Sequence, residues 1–189
     1  LKTIALIFAC VLVTLSARAA APPEEVARGY MDSVKTGDME RVGTYMHPAA
    51  LEKFKGILVQ LAAVVGNVDA ETDPKKNTAI RILFGEEKPQ NVKDAMAKGL
   101  FVHFLTNLSQ AMPMLRQMLN DSTYDFIGHV DEGGNQTHVV YRATLTTGGA
   151  AVTKMEVLTL KRDGEEWKVM LTGDIESFVG GLTRQLQHK

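Results

Sequence analysis

Between Thr123 and Asp174 three glycine-bearing turns, Gly133-Gly134, Gly148-Gly149 and Asp163-Gly164, separate runs rich in β-branched and aromatic residues. That punctuation predicts a meander of four antiparallel strands joined by hairpins. In the second run Val139, Tyr141, Ala143 and Leu145 alternate with His138, Arg142, Thr144 and Thr146. The last run sets Trp167, Val169 and Leu171 against Lys168, Met170 and Thr172. A period of two with apolar residues on one parity describes a sheet with one dry and one wet face. Asp125 takes the opposite parity from Tyr124 and Phe126, so the dry face is expected to carry no acid.

The third run is irregular, and its register has two solutions. A two-residue turn at Gly148-Gly149 sets Tyr141 against Glu156 and Ala143 against Lys154, with both charges on the dry face. A three-residue loop, Gly148 to Ala150, sets Arg142 against Glu156 and Ala143 against Met155. A charge buried without a partner costs roughly several kcal/mol, whereas opposite charges facing each other on a wet face are mildly favourable. The longer loop is therefore expected. A bulge near Val157-Leu158 would then return Leu160 to the dry face opposite Trp167 and curve the sheet strongly.

The chain opens with Lys2, an apolar run from Ile4 to Leu15 and then Ala17-Arg18-Ala19. A short positive start, an apolar stretch and a small-x-small site form a secretory signal peptide over residues 1–19. The run is too short to be a comfortable membrane anchor. Cys10, the only cysteine, leaves with it. Disulfides, zinc thiolates and cysteine nucleophiles are thereby excluded from the remaining 170 residues, which suffice for one domain with a core of its own. Loss of Lys2 and Arg18 lowers the 21 basic residues to 19 against 22 acidic ones, a net charge of −3. That balance argues against nucleic acid or an anionic membrane as the main partner. A periplasmic or secreted location follows.

From Pro22 onward the pattern is helical. Val26, Ala27, Tyr30, Met31 and Val34 make one stripe, Gly37 ends it, and Asp38 caps a second helix carrying Met39, Val42 and Met46. His47-Pro48 breaks the chain before a third helix with Leu51, Phe54, Leu58, Leu61 and Val65 along one side. Asn67 to Asn77 reads as loop, with Asp73-Pro74 as a turn, and Thr78 to Phe84 as an apolar run of undecided type. Glu86 to Gln90 reads as another loop, and Val92 to Asn120 as helix with a break near Pro113. After the last strand Ile175, Phe178, Val179, Leu182 and Leu186 form a helical stripe interrupted by Gly180-Gly181. That segment would cover the sheet edge or pocket mouth, or form a subunit contact.

The stretch EEVARGYMDSVKTGDMERVGTYMHPAALEKF resembles the opening of a nuclear transport factor 2-like domain, the SnoaL-like cone fold, and DGEEWKV is similar to that family's final hairpin. The two stretches cover about a third of the chain. The resemblance implies an α+β domain over residues 20–189, its N-terminal helices packed on a curved four-stranded antiparallel sheet, with a helical insertion at about 67–120. It implies little about function, because such folds carry isomerases, dehydratases, hydrolases and non-enzymatic modules alike.

Candidate chemistry is sparse. No two of His47, His103, His129, His138 and His188 stand at a close ligand spacing, and no carboxylate cluster resembles a calcium loop. His129 and His138 could approach each other across the first two strands, and they read as exposed imidazoles on the wet face. Met112, Met114 and Met118 suit Cu(I) in principle, but at helical spacing they read as core. No nucleophile elbow or phosphate loop is present. No metal, cofactor or catalytic residue is expected. The expected function is an exported, non-catalytic binding or accessory module with a small apolar ligand near Tyr30, Tyr141 and Trp167. The alternatives are a lyase or isomerase acting on a small apolar molecule, and an interaction module that homodimerises through the sheet.

Overall fold

The computed structural model describes residues 20–65, 74–85, 89–147 and 150–187; the segment read as a signal peptide lies outside them. Helix α1 (Pro23–Thr36) begins with proline at its first position, carries Glu24 and Glu25 in its first turn and ends at Gly37, whose φ of 73° is left-handed. Proline loses nothing at a helix start, and a glycine reaches that φ without a Cβ clash. Asp38 then caps α2 (Met39–Tyr45) by accepting from the Arg41 amide at 3.0 Å. The chain next touches the sheet, where Met46 bridges Val169 and the His47 amide donates to the Val169 carbonyl at 2.8 Å. Pro48 opens α3 (Pro48–Val65).

Residues 74–77 are helical, not loop, because α4 (Pro74–Phe84) starts at the proline expected to mark a turn. A proline fits a turn and a first helical position equally well, and the apolar run from Thr78 resolves as the same helix. The helical stretch expected from Val92 to Asn120 breaks near Pro113 as expected, into α5 (Ala97–Ala111) and α6 (Pro113–Asp121), while its start is a separate 3₁₀ turn over Pro89–Lys93. Helix α7 (Gly173–Gln187) runs through Gly180-Gly181 and packs on α3 and α4, burying Val179, Leu182 and Leu186. Among the described residues no helix is long and apolar enough to cross a membrane.

Four strands, β1 (Thr123–Asp131), β2 (Gln136–Thr147), β3 (Ala150–Asp163) and β4 (Glu166–Val169), form one antiparallel meander in chain order. Helix α1 crosses its inner face against β1, β2 and β4, and α6 packs on β2. Behind them α3, α5 and α7 meet around aromatic rings: Phe54 stands edge-on to Phe101 at 5.2 Å and 5.1 Å from Phe104, which neighbours Phe178. Gly43 lets α2 approach α5, since a Cβ there would come within 2.8 Å of Val102.

The sheet departs from expectation in its register. Thr147 pairs with Ala150, so Tyr141 lies opposite Glu156 and Ala143 opposite Lys154, which is the two-residue solution. Pairing of β2 with β3 is unbroken, and the bulge falls instead in β1, between Phe126 and Gly128. Leu160 consequently faces Val169, while Trp167 faces Arg162, whose guanidinium stacks 4.2 Å above the indole. The charges are tolerated because the hairpin outruns the helical layer. On the inner parity of β3, Leu158 and Leu160 are buried, Glu156 is half-buried, and Lys154 and Val152 are exposed. Desolvation penalises a charge only where something covers it. β4 also ends at Val169, so Leu171 lies beyond the strand.

The bulge in β1 also separates the two histidines. His129 falls opposite Val139 on the inner side, where it bonds Glu24 of α1. His138 takes the outer side, with Nε2 2.7 Å from Glu132 and Nδ1 3.0 Å from Thr159. Val130, Met155 and Val157 are exposed on that outer face.

Phe54 touches two of the other three rings, those of Phe101 and Phe104. Phe54→Ala is expected to lower unfolding stability by about 3–5 kcal/mol, read as a lower urea midpoint with an unchanged slope. A loss below about 1 kcal/mol would mean that the cluster is not the core of the helical half.

Candidate functional site

Where the sheet's inner face emerges from under the helices, a cavity of about 290 Å³ opens to solvent. The sheet contributes Tyr124, Tyr141, Ala143, Leu145 and Glu156. Tyr30, Met31 and Val34 of α1, Leu105 and Leu108 of α5, and Leu115 and Leu119 of α6 close the apolar walls. The start of α7 supplies the rim with Asp174 and Ile175. Each helix presents this face for a reason visible in its sequence: positions three and four apart carry its apolar residues, and α6 begins afresh at Pro113 to turn back over β2.

The polar groups gather on the sheet side. Tyr30 and Tyr141 are 6% and 8% exposed, and neither hydroxyl has a hydrogen-bond partner among the described residues. No fully buried side-chain polar atom among those residues lacks a partner, so both hydroxyl oxygens reach open space, and the open space they line is the cavity. Tyr124 differs, its hydroxyl sharing a 2.8 Å hydrogen bond with Ser122. Its ring stands at a T-shaped angle to that of Tyr141, centroids 5.9 Å apart.

Burial pushes the Tyr30 hydroxyl up from 10.0 to about 12, with a smaller push from Tyr124. Tyr141 is also raised, first by burial and then by the negative charge of Glu156, with smaller contributions from Tyr124, Tyr30 and Asp174. Both are neutral phenols at any physiological pH, able to donate to a ligand. Neither Glu156 nor Asp174 has an ion-pair or hydrogen-bond partner among the described residues. On the α6 side Arg116 also lines the cavity, its Nη2 3.7 Å from where a Cβ on Gly37 would stand.

Of the three residues expected at a pocket, Tyr30 and Tyr141 share this cavity and Trp167 does not. Trp167 lines a separate pocket of about 540 Å³ with Glu25, Tyr45, Glu165 and Glu166, and Arg162 stacks on its ring. Contrary to the expectation of an acid-free inner face, Glu156 lies there. It was missed because the wrong turn length moved it to the other parity; the Gly148-Gly149 pair itself was the signal for the shorter turn. Among the described residues no group of three or more His, Cys, Asp or Glu stands where it could hold a metal ion. In comparison with family models, with curated proteins and with solved structures, nothing matches this chain.

A folded-state value above the unfolded one means that Tyr30 keeps a proton that the unfolded chain releases. Its contribution to stability is whole below pH 10.0 and is lost as the pH rises through about 12. Unfolding stability is therefore expected to fall above about pH 10, and less steeply in Tyr30→Phe. Urea titrations across that range check this; equal slopes in the two proteins would place the Tyr30 hydroxyl in free contact with water.

Proposed function

We propose that this chain is an exported, non-catalytic binding module for a small, mostly apolar molecule held between the sheet and the helices. The observation that carries the reading is the cavity of about 290 Å³ with leucine and methionine walls and two buried tyrosines whose hydroxyls have no partner among the described residues. Apolar walls with a few convergent polar groups are what small-molecule sites share. Export is supported by the apolar run from Ile4 to Leu15 followed by Ala17-Arg18-Ala19.

A second reading has an observation of its own. Glu156 lies opposite Tyr141 in the β2–β3 register and lines the same cavity, and a lyase or isomerase that removes a proton next to a carbonyl needs a carboxylate base and donors for the developing oxyanion. Solvent deuterium appearing in a bound carbonyl compound, and ceasing to appear in Glu156→Gln, would favour this reading over plain binding.

The binding reading is tested by thermal shift against a panel of small apolar molecules and by native mass spectrometry for a copurifying compound. Ala143→Phe places a ring in the cavity from the strand side. It is expected to weaken binding of any hit at least about tenfold, or about 1.4 kcal/mol, with the melting temperature of the free protein little changed. Leu119→Trp fills the space from α6 and should act alike. Hits whose affinity ignores both substitutions bind elsewhere, and the reading falls.

A further inference from the structure

We propose that the molecule this cavity takes is a cationic amphiphile, an ammonium group on an apolar body, with the charge seated against Glu156, Asp174 and the wall of Tyr30, Tyr124 and Tyr141. The inference rests on the reading of the cavity as a binding site and adds the sign of the ligand's charge.

Three facts point the same way. Two carboxylates line the sheet-side rim, and neither meets a cation of the described residues. Three tyrosines line the same cavity, and an ammonium within about 6 Å of an aromatic face is attracted by its quadrupole. Tyr30 and Tyr141 are each more than nine-tenths buried as residues, and their hydroxyls have no hydrogen-bond partner among the described residues. They can rotate to present oxygen lone pairs to a donor. A carboxylate ligand could accept from the phenols and face Arg116 on the α6 side, but it would meet both Glu156 and Asp174 as like charges. A neutral alcohol would satisfy a hydroxyl but leave both carboxylates unpaired. Lys35 does not enter the balance, because its Nζ donates to the Ser122 carbonyl at 2.6 Å and it does not line the cavity.

The test compares three probes of equal chain length, n-octylammonium, n-octanol and octanoate, each below its micelle concentration, by calorimetry on the full folded chain. Octylammonium should bind at least about tenfold tighter than octanol, and octanoate most weakly. Glu156→Gln with Asp174→Asn should erase the ammonium preference and leave octanol within about twofold. Ala143→Phe should abolish binding of all three. Glu132→Gln, on the outer face, should change nothing. Equal affinity for ammonium and alcohol, tightest binding of octanoate, or an ammonium preference that survives the double substitution would each overturn the charge assignment while leaving the cavity as a site. Absence of binding by any probe would overturn both, since an eight-carbon chain fits walls of this kind whatever its head group.

Discussion

Which side chains this protein turns inward is set by one pairing, β2 against β3, in which twelve consecutive residues of one strand face twelve of the other without interruption. Side chains alternate with a strict period of two, so a slip of one residue would exchange the two faces of β3. In the register observed, Leu158 and Leu160 meet Val139 and Val169 beneath α1, and Glu156 arrives at the edge of the covered area next to Tyr141. The slipped alternative would send both leucines into water and bring the exposed Met155 and Val157 inward. Burial of the two leucines decides between them: each is worth about 1.5–3 kcal/mol, while the two charges that accompany them stay at or beyond the rim.

This weighing shows why local patterns carried much of the fold and failed at the site. The alternation in Val139, Tyr141, Ala143 and Leu145, the stripe of α1, the glycine stop at Gly37 and the cap at Asp38 are local, and the structure follows them. Whether Lys154 and Glu156 are covered depends on how far α6 and α7 reach along a hairpin from elsewhere in the chain. The alternation of β3 says nothing of that. The expectation of a longer loop treated the inner face as dry along its whole length, and on that premise two inward charges were prohibitive. The bulge at Ile127 is similarly non-local. It turns His129 inward to meet Glu24, a residue more than a hundred positions earlier.

Tyr30 and Tyr141 read from sequence as two tyrosines on apolar faces, one of a helix and one of a strand. A buried tyrosine ordinarily satisfies its hydroxyl locally. Tyr124 does so through Ser122, and Tyr45 meets Tyr30 edge-on at 6.5 Å. The Tyr30 and Tyr141 hydroxyls have no such partner among the described residues, and both residues line the cavity walled on one side by α6, which restarts at Pro113 and packs on α1 and β2. A break in a helix is visible in sequence; the hollow beneath it is not.

The same geometry bears on the choice between holding a molecule and transforming it. A carboxylate base must be set against a particular carbon in a site that excludes water, because bulk water screens the charge that develops in the transition state. Glu156 stands where the hairpin leaves the helical layer, half-buried, with exposed Lys154 next along its parity. Nothing among the described residues closes over it. An open rim asks less of a cation anchor, which needs a fixed negative charge near an apolar slot and gains from partial desolvation without requiring all of it.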